Sequence, residues 1–171
     1  MQPQRQTLDQ PRAMAAHKTW RERLAGYKNL PIVKPIPAAM QARHGLGSIV
    51  IPSPQEVDAI MQKIPETRLV TIFQISDQLA YQHGTTIACT VTTGIFANMA
   101  ARAAGEDELE GRPATPYWRC LKANGELNAK YPGGIAALMT RLEAEGHTVV
   151  QKGKRFVVQD FEKQLVSTRL L

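Results

Sequence analysis

The sequence predicts an α+β domain preceded by an N-terminal arm. Helical segments with clear start signals follow one another from Pro54 onward, and two β-branched runs flank a glycine turn near the C-terminus. The stretch before Pro54 is interrupted by prolines, which disfavour a long helix. We therefore expect a disordered tail at residues 1–12, an arm at 13–53 and a folded domain at 54–171.

Composition excludes several classes of protein. The chain has 171 residues, enough for one domain with a core of its own, and no apolar run approaches the ~20 residues of a membrane helix. The first twelve residues lack the apolar segment of a secretory signal, so we expect a cytoplasmic protein without a membrane partner. Cys89 and Cys120 have no metal-ligand spacing with the histidines, so neither a metal site nor a cofactor is predicted. The formal net charge of +6 favours a polyanionic partner such as nucleic acid, or serves solubility alone.

Two helices are predicted before residue 65, the second of them from its capping signals. A short one spans Thr19 to Leu24 in the arm. The next begins with Ser53 as N-cap, Pro54 in the first turn and Glu56 completing a capping box. Its apolar positions fall on one face, which predicts a buried stripe: Val57, Ile60, Met61 and Ile64.

A pair of helices joined by a turn follows. Thr71 and Gln74 have capping-box spacing, and Gly84 closes that helix. The second helix of the pair has N-cap candidates at Thr90, Thr92 and Thr93. Such a pair has the outline of a helix-turn-helix, although many all-α domains contain one by chance.

The C-terminal third predicts a helix and a basic hairpin. Ile135, Leu138 and Leu142 give the helix an inward face and Gly146 ends it. The β-branched runs around 152–155 then form a hairpin with three cations at its tip, and Asp160 caps a last short helix. A basic hairpin beside a helix-turn-helix indicates a winged-helix arrangement.

The segment Thr115–Gly134, TPYWRCLKANGELNAKYPGG, together with the later LEAEGH, carries a resemblance to a known family. Both resemble the DNA-binding domain of the alkylguanine DNA alkyltransferases and of their non-enzymatic relatives, the alkyltransferase-like proteins. The shared order is a Pro-Cys-His-Arg motif, a turn, an aromatic residue before a glycine pair, and a helix ending in Glu-Gly-His. The resemblance covers roughly 57–147 and implies an alkyltransferase-type winged helix-turn-helix.

The resemblance implies that this chain is not an enzyme. Enzymes of the family transfer an alkyl group from a flipped guanine to a cysteine activated by His and Glu. Here Pro116 matches the motif proline, Tyr117 falls on the cysteine and Trp118 on the histidine. Neither a phenol nor an indole N–H can perform thiolate chemistry at neutral pH. Glu145 matches the carboxylate of the triad.

Alkyltransferase-like proteins instead carry an aromatic residue at the cysteine position and hold a flipped lesion for excision repair. Tyr117 resembles that arrangement, because an aromatic face can stack on an extruded base. The expected partners are double-stranded DNA, including alkylated DNA, and excision-repair proteins. The predicted lesion pocket consists of Pro116, Tyr117, Trp118, Tyr131 and Glu145.

The family also places a tyrosine and an arginine on the helix pair, where they rotate and replace the flipped nucleotide. Ile72 and Val91 occupy those two positions in this sequence. The other candidate DNA contacts lie at the start of the second helix, in the motif and on the hairpin. They are Thr92, Thr93, Asn98, Arg119, Lys152, Lys154 and Arg155, although for Arg119 the resemblance favours a structural tie.

Two alternatives to a non-catalytic DNA-binding protein stay open. In the first, Cys120 or Cys89 accepts an alkyl group, although Cys120 is an odd number of residues from the motif position and on a strand would point to the opposite face. In the second, a winged-helix scaffold serves as a regulatory or protein-interaction module.

Overall fold

The computed structural model describes residues 16–167, and the predicted tail at 1–12 lies outside them. Six α-helices occur in this range: α1 (Trp20–Ala25), α2 (Ala38–His44), α3 (Pro54–Gln62), α4 (Ile72–His83), α5 (Thr90–Leu109) and α6 (Gly134–Ala144). The strands are β1 (Ile32–Pro35), β2 (Ser48–Ile51), β3 (Val70–Thr71), β4 (Ile87–Ala88), β5 (Cys120–Leu121), β6 (Val149–Lys152) and β7 (Arg155–Val158). One-turn 3₁₀ helices span Tyr117–Arg119 and Phe161–Gln164. The predicted α+β class is confirmed.

The predicted helix starts at Ser53 and Thr71 are correct. The Ser53 hydroxyl accepts from the Glu56 N–H while the Glu56 carboxylate accepts from the Ser53 N–H, and Thr71 and Gln74 form the same reciprocal pair. Thr19 caps α1 with an equivalent box. Each box satisfies two backbone donors at a helix start, which is why these boundaries can be predicted locally.

The arm has more structure than its prolines indicate. Strand β1 pairs antiparallel with β2, and β2 pairs parallel with β4, so the sheet has the order β1-β2-β4. The arm also contains α2. Because β4 immediately precedes α5, the arm is hydrogen-bonded to the segment that leads into the longest helix. A two-residue strand paired with residues almost forty positions away leaves no local pattern in the sequence.

The start of α5 differs from the prediction. Cys89 is the N-cap residue and makes no side-chain cap bond, so Thr90, Thr92 and Thr93 do not cap the helix. The Thr93 hydroxyl instead donates to the Cys89 carbonyl at 2.9 Å, inside the core. The β4 backbone, which sets the chain direction here, overrides the capping preference of threonine.

The core lies where α3, α4 and α5 pack together. Small side chains on α5 let neighbouring elements approach its backbone closely, and five of them are fully buried: Ala97, Ala100, Ala101, Ala103 and Ala104. A Cβ at Gly105 would lie 3.0 Å from the Pro132 ring, so this position also permits a close contact with the loop before α6. Helix α5 therefore forms the centre of the domain.

Charged groups attach the arm to the body. The Arg21 guanidinium contacts Asp58 at 3.2 Å and also the carboxylate of Asp107, and both carboxylates are buried. The backbone N–H groups of Trp20 and Arg21 donate to the Glu106 carboxylate at 2.9 and 3.2 Å. Arg112 completes the set by binding Asp107 at 2.7 Å. Helix α1 is thus fixed between α3 and α5.

The C-terminal hairpin has the predicted form. Strands β6 and β7 pair from Val149↔Val158 to Lys152↔Arg155, with Gly153 and Lys154 in the turn. Asp160 does precede a short 3₁₀ helix, but it adopts a left-handed conformation and its side chain makes no capping bond. Within residues 16–167, no helix is both long and apolar enough to cross a membrane.

We expect Arg21→Met to lower the free energy of unfolding by about 2–3 kcal/mol. The change leaves the buried carboxylates of Asp58 and Asp107 with fewer partners. The loss of stability is smaller than for a fully buried ion pair because the Arg21 side chain is 37% exposed. Urea denaturation at pH 7 measures the difference. Arg23→Met, the same substitution at an exposed position of α1, is the control and should cost less than about 1 kcal/mol. Equal losses for both variants would contradict the bridging role of Arg21.

Candidate nucleic-acid interface

The motif segment turns sharply after α5 and then enters a strand. Tyr117–Arg119 form a single 3₁₀ turn, and Cys120 and Leu121 continue as β5, which pairs parallel with β3. This geometry separates the side chains of the turn from that of Cys120. The motif therefore has a buried, hydrogen-bonded backbone that positions Tyr117 and Trp118.

Glu145 organises the motif turn from the end of α6. Its carboxylate accepts from Arg119 Nε at 3.0 Å and Nη2 at 2.7 Å, from Trp118 Nε1 at 2.9 Å and from the Thr67 N–H at 3.1 Å. Arg119 also donates to the Ile64 carbonyl at 2.8 Å. Burial favours the neutral acid, but the bonds from Arg119 and Trp118 outweigh it and hold the pKa of Glu145 below its ordinary value. The carboxylate is fully occupied by structural bonds.

We expect Glu145→Gln to reduce the free energy of unfolding by about 3 kcal/mol at pH 7, because Arg119 would keep a buried charge without its anion. Since the folded pKa of Glu145 lies below the ordinary 4.5, its contribution is present above pH 4.5 and is lost as the pH falls through the folded pKa. The difference in the free energy of unfolding between variant and wild type should therefore decrease below pH 4.5. Urea midpoints at several pH values test this, with the exposed Glu143→Gln as control; a gap independent of pH would contradict it.

Three aromatic rings meet at the motif. Tyr117 packs edge-to-face on Trp118 and on Tyr131, with centroid distances of 5.4 and 6.0 Å. The Arg141 guanidinium lies 4.4 Å from the Trp118 ring centroid and 5.4 Å from that of Tyr117, and it is ion-paired with Glu108 at 2.7 Å. The Tyr117 hydroxyl also donates to Glu108, at 3.3 Å. Burial raises the pKa of Tyr117, so its phenol stays neutral.

An open pocket of about 650 Å³ lies on one side of this cluster. It is bounded by the C-terminal half of α5, the loop before α6, the first turn of α6 and helix α1. Its lining residues combine two aromatic rings, several charges and small residues: Trp20, Arg102, Gly105, Glu106, Glu108, Leu109, Tyr117, Lys130, Pro132, Gly133, Ala137 and Arg141. Its size and mixed lining suit a planar organic group.

Of the five predicted lesion-pocket residues, only Tyr117 lines this pocket. Trp118 and Glu145 bond to each other beside it, and Tyr131 is buried behind Tyr117. Pro116 faces a separate small hollow with Arg21 and Thr115. Trp118, Tyr131 and Glu145 support the turn that carries Tyr117, and a contact of any of these four residues with a lesion stays a prediction.

Two of the predicted DNA contacts have side chains that are bonded inside the protein. Thr93 is 0% exposed and its hydroxyl is bonded inside the core, so it offers no group to a partner. Arg119 is held by Glu145 and the Ile64 carbonyl and serves as a structural tie.

The other predicted DNA contacts lie at or near the surface. Thr92 is half-buried and contacts the Cys89 sulfur at 3.1 Å, and half-buried Asn98 accepts from Arg102 at 3.0 Å. The hairpin cations Lys152, Lys154 and Arg155 are exposed and form no ion pair within the described residues. The structure places them on a different element from the pocket, and their role as DNA contacts stays a prediction.

The outward face at the start of α5 is apolar. Val91 is 74% exposed and Ile95, one turn later, is 57% exposed. On α4, Phe73 and Tyr81 are exposed as well, whereas Ile72 is half-buried against the core. Exposed apolar side chains on the helix pair indicate a contact surface.

The cysteines lie outside the pocket. Cys120 is buried on β5 beside Tyr131, and burial raises the pKa of its thiol to about 12, so the thiolate is not populated near neutral pH. Cys89 is half-buried at the N-cap of α5, with its sulfur next to the Thr92 hydroxyl. Within residues 16–167, no group of three potential ligands is placed to hold a metal ion.

We expect Cys120 to resist thiol reagents in the folded protein, since its sulfur is buried and protonated. In the Cys89→Ser variant, a chromogenic disulfide reagent at pH 7.5 should release no dye under native conditions and one equivalent in denaturant. Rapid native labelling of this variant would contradict the burial of Cys120 and would revive the cysteine-dependent alternative.

The sequence does not predict that Trp20, Arg102 and Arg141 line the pocket. Trp20 and Arg102 belong to different elements, eighty-two positions apart, and Arg102 lies 5.0 Å from the Trp20 ring centroid. Arg141 is the one cation of α6, but its position in the sequence does not indicate that it lines the pocket. The spacing of Thr19 and Glu22 beside Trp20 indicates the start of a helix. It does not indicate which part of the protein that helix packs against.

Comparisons with known proteins give one structural likeness. No family model matches the chain, and no curated protein matches it. The chain is similar to S. pombe Atl1, whose crystal structure is described as a complex with damaged DNA containing O6-carboxymethylguanine. The TM-score is 0.48 and the identity 16%, over 67% of this chain and 94% of that chain. At that level the likeness carries no argument about function.

Proposed function

We propose that this protein is a non-catalytic DNA-binding protein that holds an extruded base, including an alkylated one, in the pocket beside Tyr117. The observation that carries the proposal is the position of Tyr117: the residue that falls on the family's nucleophile lies in the wall of an open pocket of about 650 Å³. A base that leaves the duplex needs a cavity of this kind together with aromatic contacts.

The lining of the pocket supports a base as its occupant. Trp20 and Tyr117 provide aromatic surface, while Lys130 and Arg102 provide positive charge at the same cavity. Stacking of a base on an aromatic side chain contributes roughly 1–3 kcal/mol. The carboxylates of Glu106 and Glu108 are held by α1 and by Arg141, so they can accept from exocyclic amino groups at fixed positions.

The groups around Tyr117 support binding of a base without alkyl transfer. The pocket lining contains no thiol, the phenol is kept neutral by burial, and Glu145 is committed to Arg119 and Trp118. Alkyl transfer requires a thiolate and a group that accepts its proton. The exposed hairpin cations Lys152, Lys154 and Arg155 are proposed phosphate contacts in a winged-helix arrangement.

The proposal is tested by a substitution that fills part of the pocket. Ala137 lines the pocket on the first turn of α6, whereas its neighbour Ala136 is exposed and does not. We expect Ala137→Phe to abolish any preference for a duplex with an O6-alkylated guanine over the matched intact duplex, and Ala136→Phe to retain it. Fluorescence anisotropy with both duplexes measures the preference, and intact mass of the recovered protein should be unchanged.

Three outcomes would contradict this function. A gain of one alkyl group in mass would replace it by the cysteine-dependent enzyme. Equal binding of both duplexes by the wild type would leave a DNA-binding protein without lesion recognition. No binding of either duplex would remove nucleic acid as the partner.

A second candidate function, a protein-interaction module, is favoured by one specific observation. The outward face of α5 presents Val91 and Ile95, where a helix that reads DNA would carry polar side chains. On that interpretation the wild type would bind neither duplex.

A further inference from the structure

The positive charge of the chain is concentrated in the arm. Residues 16–53 contain six Lys or Arg residues and one acid, Glu22, which gives a formal charge of +5. Residues 54–167 contain twelve Lys or Arg and thirteen Asp or Glu, a formal −1. The net positive charge that would attract a polyanion therefore comes mainly from the arm, while the body contributes only through local groups such as the hairpin cations.

The arm brings part of this charge to a hollow that shares Trp20 with the pocket. Trp20 separates the pocket from a smaller hollow of about 290 Å³, which is lined by Lys18, Arg23 and Tyr27 among others. The Arg23 guanidinium lies 4.7 Å from the Trp20 ring centroid, and that of Arg102 lies 5.0 Å from it. We call Lys18, Arg23 and Arg102 the cationic rim.

The charges of the rim are available to a partner. Arg21, between Lys18 and Arg23 in sequence, is used internally by Asp58 and Asp107. Lys18, Arg23 and Arg102 are exposed and form no ion pair within residues 16–167. Stacking on Trp20 holds the two guanidiniums in place without neutralising them, because a cation–π contact adds no opposite charge.

The platform beneath the rim is rigid. The first two N–H groups of α1 are bonded to Glu106, and Tyr27 packs edge-to-face on Phe96 of α5 at 5.1 Å. Phosphate binding by preformed cations costs less ordering than binding by free side chains. The Arg23 and Arg102 guanidiniums therefore have fixed positions relative to the pocket.

We propose that the cationic rim binds the phosphates of the DNA strand whose base occupies the pocket, and that the arm is consequently the main electrostatic contact of the protein with DNA. This rests on the proposed function. A nucleotide in the pocket carries phosphates on both sides of its sugar, and the rim lies beside the pocket, around the Trp20 ring that lines both hollows. Arginine and lysine at this place neutralise the strand without reading its sequence.

The salt dependence of binding tests the proposal. Each phosphate neutralised contributes about 0.9 to the slope of log K against log salt for duplex DNA. The double variant Lys18→Gln/Arg23→Gln should therefore reduce the slope by about 1.8 on the alkylated duplex, whose base occupies the pocket. Lys63→Gln/Arg68→Gln removes the same charge from two exposed residues that line neither hollow, and it should leave the slope near the wild-type value.

A conservative variant separates charge from packing. Arg23→Lys keeps the cation and loses the planar stack on Trp20, so its slope should match the wild type. Circular dichroism and thermal unfolding of all variants should be unchanged, since the substituted side chains are exposed.

Equal slope changes in the rim and control variants would overturn the proposal, because net charge alone would then explain the attraction. A rim variant with an unchanged slope would do the same while leaving the proposed function intact, provided that Ala137→Phe still abolishes lesion preference. A wild type that binds neither duplex would overturn both.

Discussion

The contact on which the candidate site depends is the one between helix α1 and the carboxylates of the body. Arg21 joins Asp58 of α3 to Asp107 of α5, and Glu106 receives the first N–H groups of α1. Without these bonds a six-residue helix would not be stable, because nucleation of so short a helix is unfavourable. Docking of α1 also completes the pocket, since Trp20 is one of its walls.

The contact between α1 and the body also determines which charged groups are paired inside the protein and which remain exposed. The acidic residues of α5, from Glu106 to Glu108, are satisfied by Arg21, Arg112, Arg141 and backbone N–H groups. Hydrogen bonds outweigh burial and hold the pKa of Asp107 below its ordinary value. Its contribution to stability is therefore present above the ordinary pKa of an aspartate and is lost as the pH falls through the folded one. Arg102 and Lys130, which form no ion pair within residues 16–167, remain exposed beside the pocket.

The parts of the fold that were predicted from the sequence are those set by local chemistry. Ser53 and Thr71 start helices through bonds to residues three positions away, and Gly84 ends one in a left-handed conformation. The sheet of the arm was not predicted, because β2 and β4 pair across almost forty residues. Thr93 illustrates the same limit at the site: its polar side chain indicated a surface position, but tertiary packing buried it and the Cys89 carbonyl satisfied its hydroxyl.

Most of the residues that match the family motif do not line the pocket. Trp118 and Tyr131 both pack on the Tyr117 ring, and Trp118 is in turn bonded to Glu145, so these side chains are used inside the protein. Only Tyr117 faces the cavity, and at 2% exposure it contributes a narrow strip of its wall. The larger aromatic surface belongs to Trp20, from outside the matched region. If a base enters this pocket, discrimination among bases must therefore come from the arm as much as from the motif.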